Sequence, residues 1–141
     1  MATRADFSED EWKTMQKGVT GAGMLVSIAD RDFTDSFGEA SALAKYLATQ
    51  REQAESQFIR ELANTRGTGF GMTDSPQEVE AETLEALRSA VATLAAKAPD
   101  EVDAYRELVV GAASVVAESK SGVEPGETAA IDKIREALGA A

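Results

Sequence analysis

The sequence contains no cysteine and no histidine in its 141 residues. Without Cys there is no disulfide, no thiolate nucleophile and no sulfur ligand for a metal. Without His there is no imidazole ligand, and the usual general base near neutral pH is missing. A di-iron carboxylate centre built on Glu-x-x-His is excluded on the same ground. Ser27, Ser89 and Ser114 likewise have no imidazole to activate them. Basic residues are scarce too: 14 Lys and Arg stand against 25 Asp and Glu, a net charge of −11. Such a field repels phosphate backbones and anionic headgroups, so nucleic acid is not an expected partner. No apolar run approaches the ~20 residues that span a bilayer, and Met1 to Asp10 lacks the basic start and apolar stretch of a signal peptide. The expectation is a cytoplasmic, non-enzymatic protein with no membrane span.

What is present is a globular composition, 43% hydrophobic and 28% charged, on a length that suits one domain over residues 1–141. Helix-start signals recur. Ser8 with Glu11, Ser36 with Glu39 and Ser75 with Glu78 each have the spacing of a reciprocal capping box. Phe7 is placed to staple onto Trp12, and Pro76 takes the favoured first helical position. Behind the boxes, apolar residues step by three and four: Met15 to Ile28, Leu43 to Leu47, and Leu84, Leu87, Val91 and Leu94. The pattern predicts a break near Gln50 to Gln53, a helix through Phe58, Ile59 and Leu62, and a stop near Lys97. Asp100 is expected to cap the next helix, which carries Val102, Tyr105, Val109, Ala112 and Val116. A last helix holds Ile131, Ile134 and Leu138 before Gly139. No segment alternates with the period of a strand. The fold class expected is all-α, a compact bundle of about six or seven helices, antiparallel or nearly so because the connections are short.

Residues 19–47 laid over 107–135, an offset of 88, pair Gly23 with Gly111, Ala29 with Ala117, Asp30 with Glu118, Gly38 with Gly126 and Glu39 with Glu127. Each copy reads as an apolar helix rich in small residues, an acidic turn and a second amphipathic helix. The bundle is therefore expected to hold two pseudo-repeated helical hairpins facing each other across a twofold-like axis.

Asp30, Asp32, Asp35 and Glu39 fall within ten residues, and carboxylates gathered at a turn are what a hard cation such as Ca²⁺ or Mg²⁺ requires. The spacing is not that of an EF-hand, which would need glycine at Asp35 and an acid at Ser41. The same residues also have an ordinary structural role: Glu39 caps with Ser36, Asp35 favours the positive end of a helix, and Asp30 and Asp32 are solvated. The second turn offers Glu118, Glu124 and Glu127, with Glu124 before Pro125 reading more simply as a helix start. Arg66-Gly67-Thr68-Gly69-Phe70-Gly71-Met72 superficially has the look of a phosphate-cradling loop, but it follows a helix rather than a strand and reads as a connector.

Two stretches resemble the TerB family of tellurite-resistance proteins. The clearer runs from Leu108-Val109-Val110-Gly111-Ala112-Ala113 through Ala117-Glu118-Ser119, Glu127 and Ile131-Asp132-Lys133-Ile134 to Gly139; the weaker runs from Gly18 to Leu47. The resemblance implies a non-enzymatic helical domain of stress or tellurite resistance. It implies acidic turns that bind a divalent cation, with Asp30, Asp32, Asp35, Glu39, Glu118 and Glu127 as ligands, and a protein partner from a resistance or stress system. The sequence departs from the family's second turn at Lys120, Ser121 and Gly122, and a Lys ammonium opposes a bound cation. A second expectation is a helical interaction domain of another family. Its Gly/Ala-rich stripes, Gly18 to Gly23 and Gly111 to Ala113, would then form a homodimer contact without any metal.

Overall fold

Three of the helices begin where a serine side chain meets the free amides of the first turn. In the computed structural model, which describes residues 3–29, 36–64, 75–118 and 125–139 with backbone alone at 27–29, 36–41, 76 and 125–127, Ser8 and Glu11 close a reciprocal box. The Ser8 amide donates to Glu11 Oε1 at 2.8 Å, and the Glu11 amide donates to Ser8 Oγ at 3.1 Å. Lys97 reaches the same carboxylate at 2.6 Å. Lys97 first, and the Ser8 amide with it, hold the Glu11 carboxyl below the usual carboxylate range. Ser75 caps its helix without the return bond from its own amide: its Oγ accepts from the Glu78 amide at 3.2 Å and donates to Glu78 Oε1 at 3.2 Å, with Pro76 in the first turn. Behind the first box the rings of Phe7 and Trp12 stand 6.1 Å apart, and the ring of Phe58 closes the cluster edge-on to Trp12 at 5.7 Å.

Among the described residues there are six α-helices and no strand: α1 (Glu9–Ala29), α2 (Ser36–Gln53), α3 (Gln57–Leu62), α4 (Pro76–Lys97), α5 (Val102–Glu118) and α6 (Pro125–Ala137). None of them is long and apolar enough to cross a membrane. The all-α bundle expected from the sequence is what forms. Trp12, Met15, Val19, Ala22 and Val26 put a buried face along α1, and this helix is the centre of the molecule, packed against α4, α5 and α6.

Helix directions follow from pairs of contacts. Glu11 meets Lys97 and a Cβ on Gly18 would meet Leu87, so α4 runs antiparallel to α1. By contrast, Tyr105 bonds Met15 and Gly23 lies beside Val116, so α5 runs in the same direction as α1. The expectation of a uniformly antiparallel bundle is corrected here. Two intervening helices and a return through α4 bring α5 back alongside α1 in the original sense. Among the described residues, α2 packs chiefly on α5, and α6 packs more on α1 than on α5. The two repeated pairs are thus interlocked, each second helix lying across the first helix of the other pair.

A single device, used twice, sets the closest approaches. The Tyr105 hydroxyl donates to the Met15 carbonyl at 2.8 Å and occupies the space where a Cβ on Gly18 would lie. The Tyr46 hydroxyl donates to the Leu108 carbonyl at 3.3 Å and occupies the space where a Cβ on Gly111 would lie. In both cases the glycine is three residues beyond the carbonyl, on the same helical face, and its missing side chain leaves the notch into which the phenol drops. The first lock joins α5 to α1; the second joins α2 to α5.

Two local expectations are corrected. α2 continues to Gln53, and the break falls at Ala54 to Ser56. Ser56 caps α3, while Arg60 donates to the carbonyls of Ala54 at 2.6 Å and Glu55 at 3.1 Å. Asp100 caps nothing. Ala98, pushed out of helical geometry by the proline that follows, lets Pro99–Glu101 form a 3-10 turn in which Ala98 accepts from the Glu101 amide at 2.9 Å.

One core position is imperfect. Thr83 on α4 is fully buried, and its hydroxyl has no hydrogen-bond partner among the described residues. Valine has nearly the same shape without the unsatisfied oxygen, so Thr83→Val is expected to raise stability by about 1 kcal/mol. Urea denaturation followed by circular dichroism measures this; a loss of stability would mean that the hydroxyl is paired.

Candidate acidic binding end

The shared direction of α1 and α5 decides where the acidic turns begin. α1 ends at Ala29 and α5 at Glu118, and because the helices run together, both ends lie at one end of the bundle. α4, antiparallel to α1, starts at this end with Pro76. α6 starts there as well, since Arg106 near the beginning of α5 donates to the Leu138 carbonyl at 2.8 Å and ties the finish of α6 to the far end.

A helix C-terminus carries partial negative charge, and helices commonly place a base in the last turn to offset it. Four of the six do so, with Arg51 in α2, Arg60 in α3, Lys97 in α4 and Arg135 in α6. α1 and α5 have none. In α5 the final residue is instead an exposed carboxylate, Glu118. In α1 the next residue in sequence is Asp30. Two helix C-termini without a last-turn base therefore share one end of the molecule, one closed by Glu118 and the other followed in sequence by Asp30.

Of the expected ligands, Asp30, Asp32 and Asp35 lie outside the described residues, as do Glu124 and Lys120. Glu39 and Glu127 are on the first turns of α2 and α6, with their side chains outside what is described. Glu118 alone is seen in full, exposed at the tip of α5. Among the described residues no group of three or more Asp or Glu side chains is gathered closely enough to hold a metal ion. The glycine-rich segment from Arg66 to Met72 is also outside the described residues. The missing last-turn bases can be read from the letters once the helix ends are known.

Three glycines of the small-residue stripes are in use within the chain. Gly18 receives Tyr105, Gly111 receives Tyr46, and a Cβ on Gly23 would lie 2.7 Å from Leu43 Cδ2.

No family profile matches the chain, and no solved structure does. Over 80 residues it is 32% identical to the DNA repair protein RAD59 of Candida glabrata, an alignment spanning 52% of this chain and 38% of that protein. The chain thus corresponds to well under two thirds of this relative's length.

Proposed function

We propose that this is a binding domain rather than an enzyme, and that its acidic end takes a divalent cation, Ca²⁺ or Mg²⁺, in the way the resemblance to TerB proteins implies. The observation that carries the reading is the pair of helix C-termini, α1 and α5, directed to one end without a last-turn base. A hard cation near them would offset both dipoles at once, and its proposed ligands are the carboxylates near these ends in sequence, Asp30, Asp32, Asp35 and Glu39 after α1 and Glu118 and Glu127 at and after the end of α5. A basic protein segment from a resistance or stress system is the alternative occupant of the same surface. The internal use of Gly18, Gly23 and Gly111 favours this reading over a homodimer built on those stripes.

The likeness to a DNA repair protein raises a second reading, a role in DNA repair. The net charge of −11 opposes direct contact with a phosphate backbone, so such a role would run through a protein partner. Calorimetry distinguishes these. Ca²⁺ or Mg²⁺ is expected to give saturable heat at roughly 10⁻⁴ to 10⁻³ M, the range of weak carboxylate sites. The heat should disappear in Asp30→Asn/Glu118→Gln. Heat from oligolysine alone supports the protein-partner form, and silence with both, or binding of duplex DNA at physiological salt, defeats the proposal.

A further inference from the structure

We infer that α2 is a releasable latch, undocking from α5 as a unit while α1, α4 and α5 stay packed. The argument rests on comparing the two tyrosine locks. They share one design, a phenol bonded to a helix carbonyl over a glycine, yet they differ in tightness. Tyr105 is fully buried and its bond to Met15 is 2.8 Å; Tyr46 is only half-buried and its bond to Leu108 is 3.3 Å. The looser lock holds a helix with little anchorage among its described side chains. Among the described side chains of α2, residues 42–53, Leu47 alone is buried. Leu43 and Tyr46 are partly buried against the core. On α1, Trp12, Met15, Val19, Ala22, Leu25 and Val26 are all buried. The interlocked topology adds to the contrast: α2 makes little contact with α1, so releasing it from α5 breaks few of the contacts that hold the centre. Elements with few buried apolar contacts open at a lower free energy than the whole fold. What release uncovers is the Gly111 notch of α5, a site shaped for an aromatic ring beside a carbonyl acceptor and filled in the closed state by the chain's own Tyr46.

Hydrogen exchange on the full chain tests the latch. Amides of 42–53 are expected to exchange about a hundredfold faster than the interior amides of α1, α4 and α5, with a shallow dependence on denaturant. Tyr105→Phe then separates local from global opening. It weakens the central lock and leaves α2 docked as before. It should therefore speed exchange in α1 and α5 by about fivefold, the worth of one hydrogen bond, and leave the α2 rates unchanged. Tyr46→Ala, which loosens the latch itself, should raise the α2 rates. Equal protection of α2 and α1 in the unaltered chain, or acceleration of α2 by the same factor as α1 and α5 in Tyr105→Phe, overturns the inference.

Discussion

Gly18→Ala is expected to lower stability by about 3 kcal/mol, although alanine is the better helix former. The helical preference alone would favour the substitution by about 1 kcal/mol. Against it, the new methyl would fall on the Tyr105 hydroxyl and 2.9 Å from Leu87 Cδ2. Both neighbours are completely buried, so neither can yield without disturbing the core. Overpacking of this kind costs about 1–3 kcal/mol. Displacing the phenol from the Met15 carbonyl strands a buried donor, at a further cost of about 1–3 kcal/mol. For a chain of this length the sum corresponds to a fall in melting temperature of roughly 10 °C. Gly23→Ala provides the contrast. Its methyl would meet the tip of Leu43, a flexible and only partly buried side chain, and the helical gain of about 1 kcal/mol offsets the shift required. Denaturant unfolding of the two variants side by side measures the difference; equal stabilities would mean that Gly18 does not form a notch.

Alkaline pH should unfold the protein through its two tyrosines. Burial pushes the Tyr105 phenol far above its ordinary value; burial first, and then the nearby Glu107 carboxylate, raises that of Tyr46. A group whose pKa is raised in the folded state stabilises fully below its unfolded pKa and loses that contribution as pH rises beyond it. The window therefore opens near pH 10, the ordinary tyrosine value. Above it, Tyr105 alone removes about 1.4 kcal/mol of stability per pH unit. These are the only tyrosines in the chain, so tyrosinate absorbance has no exposed phenol to obscure it. Ionisation of Tyr105 is expected to coincide with loss of helical circular dichroism, whereas Tyr105→Phe should move that loss to higher pH. A tyrosinate signal that develops completely while helicity is intact would refute the buried lock.

The sequence announced its helix starts well because capping is local. Ser8 and Glu11, or Ser75 and Glu78, are three residues apart and satisfy each other without help from elsewhere in the chain. The end of α2 was harder to read, since the carbonyls of Ala54 and Glu55 are taken by Arg60 further along, whereas the stop of α4 at Lys97 was legible because Pro99 stands beside it. The glycines near Gly18 and Gly111 were legible as a sign of close packing. Their partners were not, because Tyr105 and Tyr46 arrive from distant helices and no local spacing links a phenol to the notch it fills. The direction of α5 was missed for a related reason. Short loops constrain successive helices, but α1 and α5 are separated by three others. Of the candidate site, the acidic residues were evident from the letters, while the placing of the α1 and α5 C-termini at one end depends on the parallel course of those two helices.

The central place of α1 also bears on how the chain is made. Its apolar face is synthesised before the helices that cover it, α4, α5 and α6. Until α4 has been made that face lacks its main partner, and the nascent chain presents Trp12, Met15, Val19 and Val26 to whatever is near. Productive collapse of this face has to wait until α4 has followed it, so the earliest native contacts of α1 are long-range ones, which slows folding relative to a bundle built from successive neighbours.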